Sequence, residues 1–183
     1  LWVNLIMDTF AALALATEPP HWKVMSRPPR RAEDFIVSRP MYLHIFGVGA
    51  AFYVALIALL KYFQHDGVVS VRELSIFFTV FVMLQVWNMF NARALGLNKS
   101  AFSRLGENRG FILILPTILV VQYLIVQYGR TMFRTEPLDT FTWLVIVAVT
   151  SVVLWAGEIF RLFPAGKSVN SGPQDENPFL ENT

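Results

Sequence analysis

Four runs of about twenty apolar residues, and a shorter one at the start, leave this chain little choice of solvent. They cover Leu1 to about Thr17, Met41 to Phe63, Leu74 to Leu95, Gly110 to Tyr128 and Phe141 to Phe163. A backbone in hydrocarbon has to satisfy its own hydrogen bonds, and a helix of about twenty residues is what crosses a bilayer. The pattern predicts an all-α integral membrane protein, a bundle of five transmembrane helices whose first member is short for a membrane. Only 15% of the 183 residues are charged and 55% are hydrophobic, far from the roughly 25% charge of soluble domains.

The charges that do occur orient the spans. With alternate connections on the same side, eleven of the 15 Lys and Arg fall in the 17–40 connection, the 93–109 connection and the tail, and four fall on the other side. The positive-inside rule then makes the richer side cytoplasmic and places the C-terminus there. Trp22, Trp143, Tyr42, Tyr62, Tyr123 and Tyr128 lie near span ends, where amphipathic rings anchor. Residues 164–183, rich in Ser, Asn, Gly and Pro, read as a disordered cytoplasmic tail. Leu1 opens inside an apolar segment with no basic lead and no small-residue cleavage site, so the start reads as a cut through a longer protein rather than a signal peptide.

Several chemistries are excluded. Without a cysteine, disulfides, thiolate zinc sites, iron–sulfur clusters and thiol nucleophiles are ruled out on this chain. A net charge of +2 with scattered basic residues gives no nucleic-acid surface. Neither a Gly-rich phosphate loop, nor a His-Glu-x-x-His zinc pattern, nor a nucleophile elbow is present.

Against this apolar background the polar residues inside the spans stand out. Asn4 and Asp8, four apart, share one face of the first span and can offer oxygens to one small volume. A carboxylate in the membrane is costly and marks ion paths, but it also serves as glue between helices, so the spacing leaves ion binding and structural hydrogen bonding both open. The third span carries Gln85, Asn88 and Asn91 at intervals of three, a polar stripe with Gln85 deepest. For Asn88 and Asn91 interhelical hydrogen bonding is the simpler expectation. His44 reads as a packed or interfacial histidine, and Glu158 with Arg161 at i+3 as an ion pair near a span end. Gln122 and Gln127 sit in an apolar fourth span that Pro116 should kink, and Gly47 and Gly49 are expected to let helices approach closely.

The stretch LWVNLIMDTFAALALATEPP resembles the sixth transmembrane helix of P-type calcium pumps, with its Leu-Trp-Val-Asn-Leu, its Asp and its closing Pro-Pro. Arg27-Pro28-Pro29-Arg30 is similar to the cytoplasmic loop that follows in that family, and Phe81 to Arg93 resembles its helix eight. The resemblance covers residues 1–163 and implies the C-terminal half of the membrane domain, helices six to ten, of an ATP-driven calcium pump. It implies Asn4 and Asp8 as calcium ligands, with Gln85 bordering the site. In reticulum-type pumps a Thr precedes the Asp and helix eight supplies a Glu. Here those positions are Met7 and Gln85, which resembles plasma-membrane-type pumps carrying one ion per cycle. A thioether is a poor ligand for a hard cation, and an amide brings no charge.

By the same resemblance ATP and magnesium act only through a cytoplasmic headpiece that these residues do not include. The 17–40 loop is then a docking surface for the phosphorylation domain, and the expected partners are calcium, the lipid bilayer and the remaining helices. The membrane would be a plasma membrane or a bacterial inner membrane. Two alternatives keep the bundle and change its role, either to a free-standing, non-catalytic regulator or assembly partner, or to a P-type pump for protons, manganese or sodium.

Overall fold

The computed structural model of the chain describes residues 2–19, 39–64, 67–95 and 100–162. The connection carrying Trp22 and Arg27 to Arg30, and the tail from 164 to 183, lie outside the described residues. Among the described residues seven helices follow in order: α1 (Trp2–Ala16), α2 (Arg39–Phe63), α3 (Val71–Arg93), α4 (Arg109–Tyr128), the single turn α5 (Arg130–Phe133), α6 (Thr140–Thr150) and α7 (Val152–Leu162), with a 3₁₀ turn at Leu105–Glu107 before α4. No strand occurs among the described residues. Among the described residues four helical segments are long and apolar enough to cross a membrane, namely α2, α3, α4 and the α6–α7 pair, and α1 adds a shorter apolar helix. The molecule is an all-α membrane bundle.

Local chemistry explains where the helices start and break. α3 begins at Val71, ahead of the apolar run, because Ser70 and Glu73 cap it reciprocally: the Ser70 hydroxyl accepts from the Glu73 amide, and the Glu73 carboxylate accepts from the Ser70 amide at 2.7 Å. Asn108 and Asp139 accept from the first-turn amides of Phe111 and Thr142, and so start α4 and α6. The fifth apolar run is interrupted at Ser151, which divides α6 from α7. There the Thr150 and Ser151 hydroxyls donate back to the carbonyls of Ile146 and Ala148, at 2.6 and 2.7 Å, the local bonding that bends helices.

α3 lies at the centre and packs on α1, α2, α4, α6 and α7. It is the least apolar of the full-length spans and the most buried, whereas the apolar stretch of α2 has none of its length buried. Lipid solvates apolar side chains as well as protein does, so the helix with the most polar groups is the one that gains from neighbours able to bond them. One core cluster joins α1, α3, α4 and α7 through Met7, Ala14, Val86, Phe90, Phe111 and Leu154; a second joins α3, α4 and α6 through Met83, Val126 and Ile146. The close helix approach expected at Gly47 and Gly49 is not made among the described residues, since a Cβ there would meet none of them within 4 Å. It occurs instead at Gly110, where a Cβ would collide with Thr17, and at Gly157, where it would collide with Asn91.

The alternating helices gather their polar residues at two ends. At one end stand Glu18, Arg93, Asn108, Glu158 and Arg161, joined by the bonds described below. At the other, Arg72 pairs with Asp139 at 2.8 Å, the Ser75 hydroxyl accepts from the Glu136 amide, and the Gln127 amide bonds both backbone groups of Leu138.

Candidate ion site and the polar clamp beside it

The apolar stripe of α1 consists of Met7, Phe10, Ala11 and Ala14, the i, i+3, i+4, i+7 spacing of one helix face, and it packs into the core formed with α3 and α4. Met7 and Ala14 are buried in it. Asp8 follows Met7 by about 100° around the helix and is therefore exposed, without a hydrogen bond or ion pair among the described residues. Asn4 lies on α1 one turn earlier, and its side chain is outside the described residues. Gln85 is half-buried on α3, also without a hydrogen-bond partner among the described residues.

α1 and α3 run in the same direction, since their C-terminal ends meet through Glu18 and Arg93. Asp8 stands ten residues before Glu18 and Gln85 eight before Arg93, which puts them about 15 and 12 Å from that junction at 1.5 Å per residue. The two side chains thus occupy similar depths on adjacent helices. Among the described residues no group of three or more His, Asp or Glu could hold a metal ion alone. Asp8 on α1 and Gln85 on α3 are thus two polar side chains at comparable depth, each without a hydrogen-bond partner among the described residues.

The junction itself is a densely bonded polar cluster. The Arg93 fork donates to both Glu18 oxygens, at 2.7 and 2.8 Å, and its remaining nitrogen donates to the Ala101 carbonyl at 3.1 Å. Its guanidinium stands 4.9 Å from the centre of the Phe111 ring. Asn108 donates to Glu18 at 2.6 Å and to the Ala14 carbonyl at 3.3 Å, while its oxygen accepts from the Phe111 amide and the Thr17 hydroxyl. One asparagine therefore caps the start of α4 and bonds the Ala14 carbonyl at the end of α1, which also accepts from the Thr17 hydroxyl at 3.0 Å. Bonding from Arg93 holds the Glu18 carboxyl below its usual range.

The same junction continues into α7. Glu158 accepts from the Ala101 amide at 2.7 Å and from Arg161 at 3.0 Å, the i+3 pair expected from the sequence. Asn91 donates to the Val153 carbonyl and accepts from Arg161, at 2.9 and 3.0 Å, so it makes the interhelical bonds expected of the polar stripe. Neither the Asn88 oxygen nor the Gln122 amide has a hydrogen bond of acceptable geometry among the described residues, although these atoms are buried.

Sequence reasoning misses the clamp. In the linear chain Glu18 and Arg93 read as a segment end and as a topology charge, and Asn108 does not stand out. Its position just ahead of an apolar run is the helix-start signal that could have found it.

The family model described as "Cation transporting ATPase, C-terminus" matches residues 1–163. The chain belongs to that family. Among similar proteins, the calcium-transporting ATPase PAT1 of Dictyostelium discoideum is 35% identical in an alignment that covers 92% of this chain and 16% of the relative. The plasma membrane calcium-transporting ATPase mca-1 of Caenorhabditis elegans is 34% identical over 91% of this chain and 14% of its own length. The plasma membrane calcium-transporting ATPase 3 of Homo sapiens is 34% identical over 91% of this chain and 15% of its own. The chain thus spans 14–16% of the length of these relatives. In this family context the helical bundle is the C-terminal membrane part of a cation-transporting ATPase.

Proposed function

We propose that this chain is the C-terminal membrane half of an ATP-driven calcium pump of the plasma-membrane type, in which Asn4 and Asp8 form one wall of a single calcium site bordered by Gln85. The observation that carries this reading is Asp8, a carboxylate inside an apolar helix, exposed and without a hydrogen bond or ion pair among the described residues. An acid held in a membrane without a partner is expensive, and a hard cation with roughly six to eight oxygen ligands is a partner that matches its charge. The other ligands come from helices beyond these 183 residues. Met7 packs in the core and brings no oxygen, and Gln85 brings an amide rather than a charge, which favours one ion per cycle over two.

In this reading the end of the bundle that holds Glu18, Arg93 and Arg161 is cytoplasmic, residues 1–163 form the transport domain, and the 17–40 connection meets the phosphorylation domain, where ATP and magnesium act. α1 releases or binds the ion as that headpiece pulls on its cytoplasmic end. The experiment is Asp8→Asn in the full-length pump. Calcium-dependent phosphorylation from ATP is abolished while calcium-free phosphorylation from inorganic phosphate is retained; unchanged calcium dependence removes Asp8 from the site.

A further inference from the structure

Arg93 is a cation with every face occupied. Its side chain is 2% exposed and is held by both Glu18 oxygens, the Ala101 carbonyl and the Phe111 ring. A bidentate fork so enclosed has one geometry, unlike an exposed ion pair whose side chains exchange rotamers. Glu18 lies two residues beyond the end of α1, so holding it holds the helix against α3. Asn108 adds a third point from α4 by gripping both Glu18 and the Ala14 carbonyl. Slipping a helix by one residue moves a side chain about 1.5 Å along the axis and about 100° around it, which is ample to take a carboxylate out of an ion's coordination shell.

Resting on the reading of Asp8 as an ion ligand, we propose that Glu18, Arg93 and Asn108 are positioning residues for the cation site, a clamp of three helices that sets the depth and facing of Asp8 from about 15 Å away without touching the ion. The Ala101 peptide, which accepts from Arg93 and donates to Glu158, braces the clamp against α7.

The test uses the full-length pump in membranes, reading calcium-dependent phosphorylation from ATP and calcium-free phosphorylation from inorganic phosphate on each variant. Glu18→Gln keeps the size of the side chain and removes the charge that the Arg93 fork grips. It raises the calcium needed for half-maximal phosphorylation about tenfold, the scale on which loss of a group orienting a metal ligand acts, and leaves phosphate labelling unchanged. Arg93→Gln shifts calcium dependence in the same direction, and the double variant shifts it less than the two singles together, because both remove one interaction.

Unchanged calcium dependence in Glu18→Gln overturns the proposal. So does loss of phosphate labelling in both single variants, which would make the clamp a support of the fold alone. Asp8→Asn in the same assay separates the two readings. If it keeps normal calcium dependence, the site assignment fails and the clamp proposal with it; if it abolishes that dependence while Glu18→Gln changes nothing, the clamp proposal alone fails.

Discussion

Met7 and Asp8 are neighbours in the chain and face different surroundings in the fold. The thioether fills the core between α1, α3 and α4, and the carboxylate stands on the open side of α1. A hydroxyl placed at position 7 would therefore enter the packed interface rather than join Asp8. Met7→Thr is expected to lower thermal stability in detergent by about 2 kcal/mol, the scale of truncating a buried methionine, and to leave the ratio of calcium carried per ATP unchanged. A rise in that ratio would contradict the packing assigned to Met7. The presence of an acid in an apolar run is legible from composition alone, since few side chains cost more to bury. The direction it faces is not, because a helical wheel gives angles between side chains and says nothing of where the neighbouring helices stand.

Between α1 and α4 the contact is made by small and polar residues. Gly110 leaves room for Thr17, and a methyl group there would push the end of α1 outward. Gly110→Ala is accordingly expected to destabilise the bundle and to expose the α1–α4 joint, read as faster amide exchange over residues 14–18 and 108–112. Asn108→Ala removes the cap of α4, worth about 1 kcal/mol in other helices, and also the bonds to Glu18 and Ala14. Its cost in thermal stability should therefore exceed that of a cap alone, with the Phe111 amide losing exchange protection. By comparison Arg72→Ala at the opposite end breaks an exposed pair, with side chains 49% and 52% accessible, and should change stability by less than about 1 kcal/mol. Helix ends at Ser70 and Asp139 follow from local capping chemistry. The break at Ser151 does not stand out in the sequence, since Thr and Ser occur within helices elsewhere and only their back-bonding marks it.

Across the molecule, two carboxylates tie the bundle at its two ends. Glu18 is lowered chiefly by hydrogen bonding from Arg93, and Asp139 is lowered from 3.8 to about 2, first by the Thr142 hydroxyl and amide and then by Arg72. A carboxyl depressed in the folded state contributes stability above its ordinary value, and that contribution is lost as pH falls through the folded value. The melting temperature in detergent is thus expected to fall below about pH 5. Glu18→Gln should flatten the fall at the end where α1, α3 and α4 meet, and Asp139→Asn the part between 3.8 and about 2. The length of the apolar runs, the asymmetry of basic residues and the cost of an intramembrane acid are properties of consecutive residues, so helices, spans and Asp8 could be read without coordinates. The meeting of Arg93 with Glu18, 75 residues away, the burial of Met7 and the choice of Gly110 over Gly47 for close approach arise from how the helices pack. Those contacts join residues distant in the chain, and hydrophobic periodicity carries no information about which partners they find.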